Sequence, residues 1–351
     1  MSVLGKIFNK ILNRSGSYNY YKNQVNEINE RITKLEKENK KIKTIEKRVK
    51  KLNKRTKKYN EINETNRRLF NTLYLDHELK PSPLLEKFHE LCLELIIFID
   101  NVCSKYDIEW MIEGGTFLGA IRHGGFIPWD DDMDCGMMRK DYLKFIEVLP
   151  VELSKYDLTD DFLITFKPRD DIVEGATSFL QLHYNNSFGD RFNLMAIDFF
   201  PYDFLKAYDG EDITEKYEEI QLEFYNDLVS MDDYGAVLDK YYDKFNLTLE
   251  KTPYFIQGVE GTSGINEILN PKVFETDKML PFKKVKFEDL DLPGPNDYDY
   301  YLRLIYKDYW KMPKILNFHN RMKRLRQREN IHNILDENTK RMREINEKFE
   351  F

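Results

Sequence analysis

The run Met111-Ile-Glu-Gly-Gly-Thr-Phe-Leu-Gly-Ala120, continued by Ile121-Arg-His-Gly-Gly-Phe-Ile-Pro-Trp-Asp130 and Asp131-Asp-Met-Asp-Cys135, decides how the rest of the chain is read. It joins two glycine pairs to four aspartates within five positions. Carboxylates so close repel one another, so the fold either leaves them in water or gives them a cation to share. Apolar Phe126, Ile127 and Trp129 lead into the acidic run, and Met133, Met137 and Met138 interrupt and follow it. The segment is therefore expected partly against a core. Alternation along an extended segment puts Asp130, Asp132 and Asp134 on one side and Asp131 and Met133 on the other. That spacing suits a hard divalent cation. Ile108 to Ile112 reads as a strand and Thr116 to Ile121 as the start of a helix, which places Gly114 and Gly115 at a turn where bare amides can approach a phosphate. The plainer alternatives are an ordinary turn and a solvated acidic loop. A calcium loop of the EF-hand type does not fit, because Cys135 stands at its sixth position and Asp141 at its twelfth, where glycine and glutamate are required.

A second acidic position lies in Phe192-Asn-Leu-Met-Ala-Ile-Asp198-Phe-Phe-Pro-Tyr-Asp203, an almost wholly apolar strand pattern. An ionised carboxylate without a partner there costs several kcal/mol or shifts its pKa. Asp198 therefore either joins the acidic run around a cation or caps a turn before Pro201.

The order of glycines, Arg122, His123, Pro128, Trp129 and the aspartates from Gly114 to Asp134 resembles the signature of the LicD family, to which fukutin-related proteins also belong. Phe282 to Leu302 and Tyr306 to Pro313 are similar to later parts of that family, with Lys307 standing where it usually has glycine. The resemblance covers roughly residues 84–313 and is thin in the middle. It implies an α/β (α+β) chain with a nucleotidyltransferase-like mixed sheet flanked by helices. It further implies metal-dependent transfer of a phosphorylated alcohol, phosphocholine-like, from a CDP-activated donor to a sugar of a cell-surface glycan. In that frame Asp132 and Asp134 hold one or two Mg2+ (or Mn2+) ions, and Asp130 is near enough to join. Asp198 completes the metal shell or accepts the proton of the attacking hydroxyl. Gly114, Gly115 and Thr116 hold a phosphate with which Arg122 pairs, and His123 either contacts the donor or caps a turn. Two rivals stay open: a nucleotidyltransferase that leaves the nucleotide on its acceptor, and a non-enzymatic assembly protein in which the carboxylates are structural.

The 351 residues are enough for one large domain and an extension. The net charge of -7 conceals an asymmetry, since residues 1–80 carry 21 Lys and Arg against 9 Asp and Glu while the remainder carries 33 against 52. Residues 1–17 read as a basic amphipathic helix, with Val3, Leu4, Ile7, Phe8, Ile11 and Leu12 at helical spacing. Residues 3–14 either touch an anionic membrane surface, dock on the protein itself or on a partner, or fray as a terminus. After a break at Ser15-Gly-Ser17, residues 18–80 read as a long helix whose apolar stripe, interrupted by one change of phase, predicts a homo-oligomeric coiled coil through residues 22–70. Polar Asn39, Asn53 and Asn60 weaken its seam. The basic helix carries no interleaved aromatics and no nucleic-acid-binding module, so nucleic acid is not an expected partner.

Pro81-Ser-Pro83 ends the extension, and residues 81–313 form the expected catalytic domain, beginning with an amphipathic helix over 84–105. Strands are expected at 163–166 and 178–184, a helix at 141–148, and a largely helical segment supplying the acceptor pocket between Asp203 and Leu280. Residues 314–351 read as a charged helix with Arg321, Lys323, Arg324, Arg326 and Arg328 clustered, either a solvated or lipid-facing surface or a site for the phosphates of the donor. Cys92, Cys103 and Cys135 lack metal-ligand spacing and leave one cysteine over in any pairing. That usage and the lack of a spanning apolar run point to the cytoplasm, at the inner face of the membrane if residues 3–14 bind it.

Overall fold

The computed structural model describes residues 3–12, 16–76, 80–165, 179–184, 194–211, 234–258, 272–311 and 321–351, with isolated positions between 213 and 227. The chain divides into two units, Met1–Asp76 and His77–Phe351. In the first, α1 spans Val3–Leu12 and α2 runs unbroken over Gly16–Asp76. Gly16 and Ser17 thus belong to the long helix instead of breaking it, while Ser15 lies outside the described residues. No described side chain of α2 is buried. Among the described residues no helix is long and apolar enough to cross a membrane.

The second unit opens with α3 (Pro83–Lys105). Proline at its first position needs no amide donor there, and the Ser82 hydroxyl accepts from the Leu85 amide at 3.4 Å. Phe88, Leu91, Leu95, Ile96 and Ile99 of its apolar face are buried in the main core. Strand β1 (Met111–Ile112), helix α4 (Gly114–His123), strand β2 (Met133–Met138) and helix α5 (Arg139–Lys155) follow. The expected strand over 108–112 is only two residues long, and α5 runs past the expected 141–148, through Pro150.

Strands β3 (Phe162–Thr165), β4 (Leu180–Tyr184) and β5 (Met195–Leu205) complete a sheet ordered β1-β2-β5-β4-β3. Its mixed character rests on one parallel pair, β2 with β5; β1–β2, β3–β4 and β4–β5 are antiparallel. The ends of the expected strands at Phe166 and Ser178 lie outside the described residues. Near its end β5 also pairs with β6 (Leu247–Thr248) and β7 (Tyr254–Gln257), and β7 pairs with β8 (Val273–Glu275). The stretch expected to be helical is therefore partly sheet. With α6 (Tyr234–Tyr242) it builds a second small core of Leu205, Tyr217, Phe224, Tyr241, Phe245 and Ile256.

Helix α7 (Thr276–Met279), the hairpin β9 (Lys283–Phe287) and β10 (Leu290–Gly294), and α8 (Tyr298–Tyr306) return to the main core. The tail is two helices, α9 (Arg321–Leu325) and α10 (Ile331–Glu347), and not one. Nor is it only solvated: Leu325, Ile331, Leu335 and Met342 are buried with the main core. Polar ties bind α10 to α3, including Arg343 Nε to Glu94 Oε1 at 2.6 Å and a short Lys87–Asp336 ion pair. Residues 312–320, including the Met312-Pro313 end of the resembling segment, lie outside the described residues.

Candidate active site

The parallel register of β2 and β5 sets Asp134 beside Asp198, with Met133 beside Ile197 and Cys135 beside Phe199. Strand geometry turns Asp134 and Asp198 to the same face of the sheet while Met133, Cys135, Ile197 and Phe199 fill the buried opposite side. On the next strand Gln181 faces Asp198 in register and donates from Nε2 to its Oδ1 at 2.9 Å. The carboxylate read as needing a partner thus has one from the protein.

Asp130, Asp132 and Asp134 are each half-buried, whereas Asp131 is buried. This is the two-sided division expected from alternation, although 130–132 precede the strand itself. Burial pushes the Asp134 carboxyl well above its usual range, and Asp132, Asp198, Glu113 and Asp130 add to that in turn. Five carboxylates therefore sense one another at one end of the sheet.

Helix α4 begins against this cluster because two glycines let it. A Cβ on Gly114 would sit 2.6 Å from Asp134 Oδ2, and one on Gly115 would sit 3.0 Å from Asp130 Oδ2. Gly114 also has φ +54, which glycine adopts without strain. The expected phosphate grip is modified here. The Gly114 amide donates to the Tyr301 hydroxyl at 2.9 Å, and the Thr116 hydroxyl accepts the Asp134 amide at 2.9 Å. Both groups tie the helix start to its surroundings, so their first role is to place Gly115 and the dipole of α4 beside Asp130 and Asp134.

Arg122 and His123 close α4, where Gly124 in the left-handed conformation ends it. Arg122 Nε donates to His123 Nε2 at 3.0 Å and one terminal nitrogen donates to the Tyr309 carbonyl at 3.0 Å. Burial, aided by Arg122, pushes His123 down to about 4, so the ring is neutral near pH 7. Trp129 stands edge-on to it, with ring centroids 6.3 Å apart.

Sequence reading missed three groups. Glu113, next to the glycine pair, is buried and accepts from the Tyr202 hydroxyl; burial and then Asp198 push it up to about 8 against the pull of that bond. Its position between an apolar strand and two glycines was a usable signal. His89 lies on α3, among residues read as core, stacks on Phe126 at 3.9 Å and makes a 2.8 Å bond from Nε2 to the Asp130 carbonyl, fixing the start of the acidic run. Tyr306, at the end of α8, has its phenol pushed up first by burial and then by Asp134 and Asp130, which places it within their field. Nothing in the local sequence marks those last two.

Among the described residues no group of three or more His, Cys, Asp or Glu side chains stands ready-grouped as a metal cage. The donor chemistry nevertheless fits a hard cation: the crowded groups are all carboxylates, burial and the neighbouring carboxylates push Asp134 up, and the two glycines leave room over Asp130 and Asp134 that a side chain would fill. The three cysteines are buried and free.

Residues 107–234 match the family model described as LicD/FKTN/FKRP, nucleotidyltransferase domain. Over 58 residues the chain is 47% identical to the lipopolysaccharide cholinephosphotransferase LicD of Haemophilus influenzae, covering 16% of this chain and 22% of that protein. Over 75 residues it is 39% identical to an uncharacterised protein of Rickettsia typhi, covering 21% and 24% respectively. Over 44 residues it is 41% identical to the human ribitol 5-phosphate transferase FKRP, covering 12% and 9%. The matched stretches span less than a quarter of the length of each of these relatives.

Proposed function

We propose, from the LicD-family domain that residues 107–234 form, that the protein transfers a phosphorylated alcohol from a CDP-activated donor to a hydroxyl of a cell-surface glycan. Similarity to a cholinephosphotransferase and a ribitol 5-phosphate transferase supports the reaction class. The observation that carries the reading is the register pairing of Asp134 with Asp198 at the crowded carboxylate end of the sheet, beside the start of α4.

In this reading the acceptor hydroxyl oxygen attacks the phosphorus that carries the alcohol. The bridging phosphorus–oxygen bond of the donor breaks, CMP leaves with its electron pair, and the hydroxyl proton passes to a carboxylate of the cluster. Such transfers need positioning and charge neutralisation more than covalent help. Asp132 and Asp134 would hold Mg2+ or Mn2+, with Asp130 and Asp198 joining. The cation when bound would neutralise the donor diphosphate. Gln181 orients Asp198, His89 fixes the Asp130 backbone, and the positive end of α4 favours an anion. Arg122 would pair with a donor phosphate and His123 would contact the donor from the opposite end of α4 to Gly114 and Gly115.

The test is CMP release from CDP-choline, CDP-glycerol and CDP-ribitol with magnesium and a glycan extract, each donor labelled separately in the alcohol and the nucleotide. Acceptor-dependent CMP with label transferred from the alcohol supports the proposal. Nucleotide label on the acceptor would replace it with nucleotidyl transfer, the second reading, which the match to a nucleotidyltransferase domain supports.

A further inference from the structure

The stripe on α2 has a finer pattern than apolarity. From Val25 to Ile42 the stripe steps by three and four: Val25, Ile32 and Asn39 occupy one seam position, and Ile28, Leu35 and Ile42 the other. A single step of three from Ile42 to Ile45 resets the phase, after which Ile42, Val49 and Thr56 alternate with Ile45, Leu52 and Tyr59. The helix passes through that reset without interruption, as a local overwinding of a supercoil allows. These apolar side chains face water in the single chain, Leu35 at 62% and Leu52 at 57% exposure. A helix of this kind draws its stability from burying such a stripe.

We propose that α2 pairs with α2 of a second copy of the chain as a parallel, in-register, two-stranded coiled coil. Three observations select that arrangement. The first seam position holds β-branched residues or Asn39, while the second mixes Leu35 and Leu52 with Ile28, Ile42 and Ile45, so it is the single Asn39 at a first position that fixes register and strand number. In register, Asn39 meets its own counterpart, and each side-chain amide finds a hydrogen-bonding partner across the seam. Antiparallel pairing over the same stripe would instead set Asn39 against Ile45.

The flanking charges agree. In parallel register each residue just before a first seam position faces the residue five places on in its partner. That places Arg31 opposite Glu36, Glu38 opposite Lys43, and Lys41 opposite Glu46, three attractive contacts on each side of the seam. Antiparallel pairing sets Arg31 against Arg55 and Glu36 against Glu46. Within the single helix Arg31 bonds Glu27 at 3.1 Å, an exposed i,i+4 pair that is easily exchanged. The proposal is independent of the transferase reading.

The experiment uses the full chain. Sedimentation at micromolar concentration is expected to give twice the chain mass, and an Ile32→Glu/Leu52→Glu variant to give a monomer whose thermal unfolding of the second unit is unchanged. Leu35→Cys should form a disulfide dimer under mild oxidation, and the three native cysteines, being buried, should not interfere. Lys41→Glu should weaken the dimer roughly five-fold, with Glu46→Lys restoring it. A monomeric wild type, a dimer that survives the Ile32→Glu/Leu52→Glu change, or mixed Leu35→Cys and Val49→Cys chains cross-linking preferentially to each other would each overturn the proposal.

Discussion

Asp134 and Asp198, far apart in sequence, are direct register partners on the parallel strands β2 and β5. Two carboxylates on adjacent strands of one face destabilise the fold unless protonated or bridged; burial pushes Asp134 up first, and Asp132 and then Asp198 add to that push. Asp134→Asn should therefore leave the protein as stable as wild type, or more so, while lowering CMP release at least about a hundredfold. Thermal unfolding with and without magnesium, run beside the turnover assay, checks both halves. A magnesium-induced rise in Tm that persists in Asp134→Asn would remove this residue from the cation site.

Glu113 supplies a pH test. Its folded pKa of about 8 lies above its ordinary value of 4.5, so the fold holds a proton that the unfolded chain releases. The stability from this group is complete below pH 4.5 and is lost as pH rises through about 8. His89 and His123, both pushed down to about 4, act oppositely between about 4 and 6.5. From pH 6.5 to 8 the raised carboxyls dominate, and urea unfolding with chelator present should show stability falling by about 1–2 kcal/mol. Glu113→Gln should flatten that slope; an unchanged slope would assign it to another group.

At Gly114, a methyl group meets Asp134 Oδ2 at 2.6 Å and a left-handed backbone. Gly114→Ala is expected to destabilise by about 1–3 kcal/mol and to depress turnover more than stability alone explains. Gly210→Ala, also at positive φ but with nothing near its added Cβ, is the control for backbone strain without a clash.

Arg139 and Asp203 form a buried bidentate pair at 2.8 and 2.6 Å, joined by the Tyr242 hydroxyl at 2.9 Å. Removing one partner strands a charge in the core, so Arg139→Met should cost about 3–5 kcal/mol by urea unfolding. Arg139→Met with Asp203→Leu should recover a large part of that loss. If the double variant is no more stable than the single one, the penalty lies in shape and not in charge.

The tail offers a packing test. Leu335 is fully buried where α10 lies on α3, so Leu335→Ala should cost about 2–5 kcal/mol. A solvated tail would tolerate it. The arginine cluster drew the reading toward solvent because five basic residues within eight positions dominate the local pattern. Ile331, Leu335 and Met342 form a sparse stripe that becomes legible only once α3 presents the matching face.

Local periodicity and local chemistry carried the rest of the sequence reading. The long helix, the amphipathic α3, the strand around Asp198 and the two-sided division of the acidic run are set by spacings of a few residues, and physics acts on such spacings without knowing the fold. Pairing is different in kind. That β5 lies parallel to β2 with Asp134 against Asp198, that Gln181 meets Asp198, and that Glu113 and His89 converge on the same carboxylates all depend on which faces bury one another across long stretches of chain. The sequence determined which residues could do the chemistry; tertiary structure decided which of them meet, because a strand's register is chosen by the burial of its whole face against distant partners.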